Sequence, residues 1–407
     1  MINQAFRGMN DTGSNDRHVT RARVLVLSQV FPPKPGGSGR WLWELYRRLR
    51  DIDVRVLAGA SDGADAFDRA SPLAIQRIPL HLRSWGVLNR KGLVDYLRAL
   101  RAVQAVARQW RPSEIHCGKP LPEGALAWAI RSLTGTPYVC FAHGEELTLA
   151  AESRELRFLT RRVLHAARRV VVNSHNTKRI VTETFAVPDS RVLILHPGVD
   201  TTRFRPVPPD PECRARLGWR DRRVVLTVGA LQKRKGQDMM IRALVDIRRR
   251  CPDVLYAIAG EGWERAYLDA LVASLDLGSA VQFCGVPDES LLVEYYQHCD
   301  LFALPNRQVG SDIEGFGIVC LEAQAAGKPV VVGRSGGAPE TVVAGTTGEV
   351  VACERPEELA AAVVDLLEDP ARRKQMGEAA RRHAVEQFDW EMTAARASAQ
   401  LFEDASQ

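Results

Sequence analysis

The chain has 407 residues, of which 45% are hydrophobic and 26% are charged, and its formal net charge is +6. This length is enough for about two or three domains, each with its own core, and the composition is that of an ordinary globular protein. No apolar run reaches the ~20 residues that a membrane-spanning helix needs, which excludes a protein that crosses the membrane by helices.

The start of the chain and its cysteines indicate where the protein is located. Residues 1–22 are polar and lack the apolar segment of a signal peptide, so we predict a disordered tail. The eight cysteines are scattered singly, and none forms a C-x-x-C pair. This pattern argues against a disulfide framework and a zinc site, and it favours reduced cysteines in a cytoplasmic protein.

Charge is unevenly distributed between the two halves of the chain. Residues 1–200 contain 30 Lys and Arg and 18 Asp and Glu, a net charge of +12, whereas residues 201–407 contain 25 and 31, a net charge of −6. A basic half suggests that this part of the molecule meets an anionic partner. Solvated arginine-rich helices explain the same numbers equally well, so both interpretations stay open.

The first predicted strand, residues 23–28, leads into a turn rich in proline and glycine. Its run of valine and leucine is typical of a buried parallel strand. Gly36 and Gly37 then precede a helical pattern at residues 41–49, in the place where phosphate-binding turns occur. The turn lacks the G-x-G-x-x-G spacing of a dinucleotide site, and a Gly-Gly pair alone is a weak signal.

Residues 75–111 are basic and partly amphipathic. Leucines and Trp85 alternate there with the basic residues Arg77, Arg83, Arg90, Lys91, Arg98, Arg101, Arg108 and Arg111. Such a surface can bind an anionic membrane peripherally, which for a cytoplasmic protein means the inner face of the membrane. A solvated helix face is the other interpretation, and the sequence alone does not decide between the two.

The rest of the first half continues this alternation of strands and helices. A helix is predicted at residues 121–133 and a strand at residues 137–142, which ends at His143. Open α/β sheets bind ligands at the carboxyl ends of their strands, so His143 is a candidate for contacting a sugar, although most single histidines are structural. The last strand of this half is predicted at residues 192–195.

A proline-rich segment divides the chain. Residues 206–211 contain four prolines, which is typical of a domain boundary. A second alternation of strands and helices follows and begins with a strand at residues 224–228. The loop after this strand carries Arg234 and Lys235, two cations that are suited to binding a diphosphate.

A glycine turn between a strand and a helix is the most informative stretch. The strand at residues 301–304 leads to this turn, and a helical run begins at Ile318. The glycines let the backbone approach a ligand, and the first helical amides attract negative charge. Glu314 and Glu322 flank the turn, and because carboxylates repel phosphates, the hydroxyls of a ribose and a sugar are their natural partners. Each glutamate alone is also consistent with an ordinary surface residue.

This stretch resembles the signature of the family 4 retaining glycosyltransferases, in which seven residues separate two glutamates. Other motifs of that family occur in order along the chain: a Pro-Pro and Gly-Gly turn, the pair His143-Gly144, the pair Lys235-Gly236, and a Gly-Gly-Ala-Pro-Glu turn that ends at Glu340. The motifs look closest to those of the phosphatidylinositol mannosyltransferases, which use GDP-mannose.

The resemblance implies an α/β protein with the GT-B fold, in which two doubly wound, Rossmann-like domains face each other across a cleft. Residues 23–205 would form the acceptor-binding domain, completed by a crossing helix at residues 388–407. Residues 206–387 would form the domain that binds the nucleotide sugar. The implied catalytic residues are His143, Lys235 and Glu314.

The resemblance also assigns binding roles. Donor-binding residues would be Gly37, Arg234, Lys235, Val286, Phe316, Gly317, Ile318 and Glu322, whereas Gly36, Gly37 and His143 would lie on the acceptor side. Glu314 would hold sugar hydroxyls, Glu322 the ribose, and Val286 would border the base. The chain departs from the family at Ala230, where an arginine is usual, and Arg234 is the candidate for the missing guanidinium.

We therefore predict a retaining hexosyltransferase that moves a hexose, with mannose favoured, from a nucleotide-diphosphate sugar, with GDP-mannose favoured. The acceptor would be lipid-linked, a polyol or a saccharide, and no nucleic acid is expected as a partner. The sequence offers no metal-ligand cluster, so we predict catalysis without a metal or another cofactor. A sugar-nucleotide epimerase of the same fold and a non-catalytic nucleotide-sugar-binding protein are the alternatives.

Overall fold

Two separate parallel β-sheets organise residues 21–402, which are the residues that the computed structural model describes. The strands of the first sheet are β1 (Ala22–Ser28), β2 (Ile52–Gly59), β3 (Ala74–Ile78), β4 (Glu114–Cys117), β5 (Tyr138–Ala142), β6 (Arg169–Val172) and β7 (Val192–Ile194). They lie in the order β3-β2-β1-β4-β5-β6-β7, and every neighbouring pair is parallel. The central strands are buried on both faces, which is why they consist almost entirely of apolar residues.

Helices connect these strands and cover the first sheet. They are α1 (Gly37–Tyr46), α2 (Ala64–Ala70), α3 (Arg90–Trp110), α4 (Ala125–Thr134), α5 (Glu145–Glu152), α6 (Arg154–Ala166) and α7 (His175–Phe185). Side chains at the helix starts fix where several of them begin. The α3 helix, for example, begins after Asn89, whose side-chain oxygen accepts a hydrogen bond from the amide of Gly92 at 2.7 Å.

The second sheet repeats the same plan with its own core. Its strands are β8 (Arg223–Val228), β9 (Val254–Ala259), β10 (Val281–Gly285), β11 (Leu301–Leu304), β12 (Val330–Gly333) and β13 (Gly348–Val351), in the order β10-β9-β8-β11-β12-β13. The accompanying helices are α8 (Pro211–Arg216), α9 (Gln237–Arg250), α10 (Arg265–Ser274), α11 (Glu289–His298), α12 (Ile318–Ala325), α13 (Pro356–Glu368) and α14 (Pro370–Phe388). All strand pairs in this sheet are also parallel.

The last described helix, α15 (Trp390–Phe402), returns to the first domain. Its buried residues Trp390, Ala394, Ala397 and Leu401 are spaced by three or four positions, so they form one apolar stripe. This stripe packs with α1 and with strands of the first sheet in a single apolar cluster. The chain therefore passes between the two domains twice, and residues 403–407 of the predicted crossing helix lie outside the described residues.

These observations confirm the predicted fold class, two doubly wound α/β domains that face each other. Residues 1–20 of the predicted tail lie outside the described residues, and Ala22 already pairs with Ile52 at the start of β1. The predicted helix at residues 121–133 begins later, because Pro120–Gly124 forms an irregular turn before α4. Among residues 21–402, no helix is both long enough and apolar enough to pass through a membrane.

Candidate active site

The strand order of each sheet reverses at one central pair of strands, and the candidate site lies between these two places. The reversal falls between β1 and β4 in the first sheet and between β8 and β11 in the second. Ligands of open α/β sheets bind outside the carboxyl ends of such strands. Gly36 and Gly37 follow β1, Arg234 and Lys235 follow β8, and Glu314 follows β11. The topology alone therefore places five predicted site residues at the reversal points.

The carboxylate of Glu314 binds both cations of the loop after β8. Lys235 Nζ lies 2.5 Å and Arg234 Nη1 2.6 Å from the same oxygen, Glu314 Oε2. Burial of Glu314 raises its pKa, but the charges and hydrogen bonds of the two cations outweigh burial and hold the pKa below its usual value. The carboxylate is therefore ionised at neutral pH, and its charge is compensated inside the site.

Arg234 has two further acidic neighbours. Its Nη2 donates to Glu145 Oε2 of the first domain at 3.2 Å, and its Nε lies 3.0 Å from Asp312 Oδ1 without the alignment of a hydrogen bond. Burial lowers the pKa of Arg234, but the three carboxylates raise it above its usual value. The structure thus places a charged guanidinium beside Lys235, whereas Ala230 occupies the position where the family usually carries arginine.

Gly236 explains how this loop presents its cations. Residues Lys233–Lys235 form a single 3-10 turn, and Gly236 then starts α9 with a φ angle of 75°. A β-carbon on Gly236 would lie 1.8 Å from the carbonyl oxygen of Pro305, so only glycine allows this approach. The close contact joins the loop after β8 to the segment after β11, and this brings Lys235 to Glu314.

The start of α12 presents backbone amides to the cleft. Gly317 has a φ angle of 89° and caps the helix, which begins at Ile318. Amides in a first helical turn have no acceptor within the helix and lie at its positive end, which suits a phosphate. The buried ring of Phe316 stacks on His196 with the ring centres 5.2 Å apart, and this contact orients the turn.

The carboxylate of Glu322, the second signature glutamate, is already engaged. Arg40 Nη1 donates to Oε1 at 3.1 Å, and the hydroxyl of Tyr296 donates to Oε2 at 2.8 Å. Arg40 belongs to α1 of the first domain, so this ion pair crosses the cleft. A carboxylate has about four acceptor positions, so Glu322 can keep both partners and also accept a hydroxyl. Its predicted contact with a ribose stays a prediction.

His143 faces the cleft from the end of β5. Its Nε2 lies 2.7 Å from the carbonyl oxygen of Gly118, and its amide donates to Glu146 Oε1 at 2.7 Å. Because a carbonyl oxygen only accepts, Nε2 carries the proton and Nδ1 is the acceptor nitrogen. Burial lowers the pKa of His143, although nearby Glu146 opposes this effect. His143 is therefore neutral at pH 7 and offers an acceptor to a hydroxyl group.

The remaining predicted residues lie at different distances from these contacts. A β-carbon on Gly37 would lie 3.8 Å from Ile318 Cδ1, so the turn after β1 faces the start of α12 across the cleft. Gly36 caps α1 beside it. Val286, predicted to border the base, is 66% exposed in the loop between β10 and α11. The structure does not bring Val286 into direct contact with the charged cluster.

Two family descriptions match the chain. "Glycosyltransferase Family 4" matches residues 35–203, and "Glycosyl transferases group 1" matches residues 210–383. A "GDP-mannose-dependent alpha-(1-6)-phosphatidylinositol monomannoside mannosyltransferase" of Mycolicibacterium smegmatis is 35% identical over 381 residues, which cover 92% of this chain and 96% of the relative. The chain belongs to the family 4 glycosyltransferases.

One further relative and one solved structure extend the comparison. A "D-inositol 3-phosphate glycosyltransferase" of Thermobispora bispora is 30% identical over 394 residues, covering 91% of this chain and 90% of the relative. The crystal structure of Anabaena Alr3699/HepE in complex with UDP superposes with a TM-score of 0.79 at 22% identity, covering 95% of this chain and 100% of the other. The latter likeness confirms the fold alone.

Four residues of this glycosyltransferase belong to the site but were not predicted for it. Arg40 and Glu145 reach it from the first domain, and Asp312 and Tyr296 from the second. Arg40 lies three residues after Gly37, Glu145 two after His143, and Asp312 two before Glu314. These three are therefore near neighbours of predicted residues, and a search for charges around the motifs would have found them but not Tyr296.

Proposed function

We propose that this family 4 glycosyltransferase is a retaining mannosyltransferase that uses GDP-mannose and a lipid-linked acceptor. The observation that carries the proposal is the buried cluster in which Lys235 and Arg234 meet Glu314 beside the start of α12. Two fixed cations and a helix start suit the diphosphate of a nucleotide sugar. The name of the mannosyltransferase relative at 35% identity supports mannose and GDP over other donors.

In the proposed complex the diphosphate accepts hydrogen bonds that the carboxylates accept in the structure. Lys235 and Arg234 would neutralise the charge that grows on the leaving group, which stabilises the transition state. Glu145 is the carboxylate most easily displaced from Arg234, because its side chain is 49% exposed and belongs to the other domain. Both cations bind Oε2 of Glu314, so Oε1 is the oxygen that would accept sugar hydroxyls.

The proposed transfer is a substitution at the anomeric carbon that keeps its configuration. The bond from this carbon to the diphosphate oxygen breaks, and the bond to the acceptor oxygen forms on the same face. The acceptor proton passes to the leaving phosphate, so the products are a nucleoside diphosphate and a glycoside. His143 would hold a hydroxyl of the transferred sugar through Nδ1, and no protein nucleophile takes part.

Donor choice is tested by thermal shift with GDP-, UDP- and ADP-sugars, followed by turnover. We expect GDP-mannose to give the largest shift. A ligand present at 100 times its Kd stabilises the folded protein by about 2.7 kcal/mol, so at equal concentrations the donor that binds most tightly gives the largest shift. Product analysis by NMR should show an α-mannoside from the α-linked donor. An inverted product, or equal shifts with all three nucleotides, would contradict the proposal.

The same incubations separate the two alternatives. An epimerase converts the donor without an acceptor, whereas a transferase releases free GDP only slowly until an acceptor is added. A binding protein shows the thermal shift and no turnover with any acceptor. Phosphatidylinositol mannosides, inositol phosphate and simple mannosides are the acceptors to compare, because the relatives' names include phosphatidylinositol monomannoside and D-inositol 3-phosphate.

For the acceptor we propose that the protein is cytoplasmic and docks on the inner face of an anionic membrane through α3. The helix exposes Leu93, Val94 and Leu97, and Leu88 just before it is 83% exposed. The exposed cations of this surface, which we name the α3 face, are Arg90, Lys91, Arg98 and Arg101. Each such cation near an anionic surface contributes about 1 kcal/mol, so the α3 face suffices for peripheral binding.

Not every basic residue between 75 and 111 belongs to the α3 face. Arg77 is turned inward, where Nη2 donates to Asp68 Oδ1 and to the carbonyl oxygen of Pro32, each at 2.6 Å. Trp85 is half-buried against the first core. These two residues fit neither a membrane-facing nor a solvated helix face, so the docking proposal rests on α3 and Leu88.

Sedimentation with liposomes tests this docking. Binding should increase with the fraction of anionic lipid and weaken as salt shortens the screening length, which is about 10 Å at 0.1 M. Leu97→Asp should reduce it, whereas Val343→Asp should not, because Val343 has a matched exposure of 46% but lies in the second domain. If the protein ignores anionic liposomes at low salt, the docking proposal is wrong while the donor proposal stands.

A further inference from the structure

A second contact crosses the cleft beside the donor turn. Glu340 lies in the short 3-10 turn Ala338–Thr341 that follows β12 of the second domain. Its Oε2 accepts a hydrogen bond from the amide of His175 at 2.7 Å, and its Oε1 one from the amide of Asn176 at 2.9 Å. These are the first residues of α7 in the first domain, where amides have no acceptor within the helix. Glu340 therefore caps a helix of the opposite domain.

A partly exposed histidine lies beside this cap. His196 Nε2 lies 3.4 Å from Glu340 Oε2, and the His196 ring stacks on Phe316 of the donor turn. Burial raises the pKa of Glu340, but the contact with His196 and the two amide hydrogen bonds outweigh it and lower the pKa below its usual value. The carboxylate is thus ionised, and it lies at the positive end of the α7 dipole.

The residues next to this cap hold the donor turn against His143. A β-carbon on Gly337 would lie 2.1 Å from the carbonyl oxygen of Gly315 and 2.8 Å from Ser174 Oγ. A β-carbon on Gly315 would lie 2.2 Å from the carbonyl oxygen of His143. Backbones of the two domains therefore touch directly in this place, and the touching segments adjoin both Glu314 and α7. Any widening of the cleft that breaks the cap also separates Gly315 from His143.

We propose that Glu340 is a positioning residue that holds the two domains closed by capping α7, and so places the donor turn against His143. The closure of the two domains by Glu340 does not depend on the proposed function, whereas its effect on turnover rests on that function. Glu340 is thus required for transfer, although it binds neither the donor nor the acceptor.

Metal binding is the competing interpretation of the same side chains. Ligand atoms of His175, His196 and Glu340 all lie within 4.8 Å of one another, and two imidazoles with a carboxylate are a common zinc set. Both Glu340 oxygens, however, already accept amide hydrogens at a helix start, which favours an anion without a metal. Zinc binding is therefore an outcome that would overturn the cap.

The test compares Glu340→Gln with Glu349→Gln. Glutamine at 340 keeps the size of the side chain but loses the charge and one acceptor, so one amide of α7 loses its partner. Glu349→Gln is the matched control, because Glu349 pairs with Arg372 at the surface of the same domain. Small-angle scattering without substrate measures closure, and steady-state kinetics with GDP-mannose measures its consequence.

We expect Glu340→Gln to increase the radius of gyration and to lower kcat about tenfold, as for one lost charge-assisted hydrogen bond, with little change in the KM for the donor. The control should match the parent protein in both measurements. An unchanged radius of gyration would overturn the proposal, whatever the kinetics show. So would calorimetric binding of ZnCl₂ that disappears in His196→Gln. If no donor is turned over, the proposed function fails, but the scattering result still decides whether Glu340 closes the cleft.

Discussion

The two walls of the cleft manage buried ionisable groups in opposite ways. On the second-domain wall, Glu314 and Arg234 keep their charges, because Glu314 lies against Arg234 and Lys235. On the first-domain wall, burial shifts His143 and Glu123 towards their neutral forms, whereas Arg40 stays charged beside Glu322 of the other wall. The pKa of His143 is lowered, and that of Glu123, in the turn before α4, is raised to about 7. Both walls lie at the carboxyl ends of parallel strands, so the difference comes from the side chains and not from the fold.

This contrast corresponds to the chemistry that each wall would meet. A diphosphate carries charge that increases as the glycosidic bond breaks, and fixed cations stabilise that increase without reorganising. The hydroxyl groups of a sugar and an acceptor are neutral, and a neutral imidazole can accept a hydrogen bond from them. Each of the following predictions removes one side of the contrast.

Lys235→Ala should have the largest effect, because it removes a cation from the second-domain wall. We name this wall, with Glu314, Arg234 and Lys235, the charged wall. Losing one charge-assisted contact to the leaving group should cost roughly 2–4 kcal/mol of transition-state stabilisation, or about 30- to 1,000-fold in kcat. Steady-state kinetics with the best donor measures this loss. Lys233→Ala is the matched control, since Lys233 lies in the same turn with an exposed side chain. An unchanged kcat in Lys235→Ala would remove this lysine from the site.

Glu123→Gln changes the first-domain wall, which we name the neutral wall after the buried groups His143 and Glu123. Glu123 is fully buried, its Oε1 accepts a hydrogen bond from the amide of Gln29 at 2.7 Å, and among residues 21–402 its Oε2 has no hydrogen-bond partner. Burial raises its pKa from 4.5 to about 7, and the nearby carboxylate of Glu146 adds to this, while Lys119 opposes it. The folded state therefore binds a proton more tightly than the unfolded state does.

The sign of the effect follows from that difference. As pH rises from about 4.5 through about 7, the folded protein loses stability, and above this window the cost reaches about 3 kcal/mol. Glu123→Gln imitates the protonated acid, so the urea midpoint should rise at pH 8 and stay nearly unchanged at pH 5. Glu152→Gln, at the exposed end of α5, should change neither. An equal shift at both pH values would show that Glu123 does not titrate in this window.

Much of the charged wall could be predicted from the sequence, because its residues belong to short local motifs. Glu314, Gly317 and Ile318 belong to the segment that joins one strand to the next helix, and the pair Lys235-Gly236 belongs to another such segment. The alternation of strands and helices likewise indicated both domains. What the sequence did not predict are the contacts between distant residues. Arg40 and Glu322 are 282 positions apart, and their ion pair depends on how the two domains approach.

Two edge strands lack a clear sequence signal, for a local reason. The β3 strand is an edge strand of five residues, and most of its side chains are at least partly exposed. The β13 strand is likewise an edge strand, with only four residues, and it contains Gly348 and Glu349. Short edge strands bury little apolar surface, so their sequences lack the continuous apolar run that identified the central strands.

His143→Ala should have a smaller effect than the two preceding changes. It removes a neutral acceptor whose net contribution is about 1 kcal/mol, so kcat/KM should fall about five- to tenfold. The control is His165→Ala, which likewise loses a ring contact with a backbone carbonyl, that of Phe185 at 2.9 Å, but lies outside the cleft. Because burial lowers the pKa of His143, the ratio between variant and parent should stay constant above pH 7. A ratio that changes across this range would mean that His143 acts as a charged group.

Metal removal should leave turnover unchanged, and this result would assign the compensation of the diphosphate to the charged wall. If Lys235, Arg234 and the start of α12 together compensate the leaving diphosphate, a divalent cation at the same place would duplicate their charge. Turnover should therefore be the same in EDTA as in Mg²⁺. Activity that EDTA abolishes and Mg²⁺ restores would mean that the two side chains are insufficient for the diphosphate. Repeating the comparison in Lys235→Ala makes it decisive. If Mg²⁺ partly rescues this variant but leaves the parent unchanged, the lysine supplies the positive charge that a metal ion provides in other transferases.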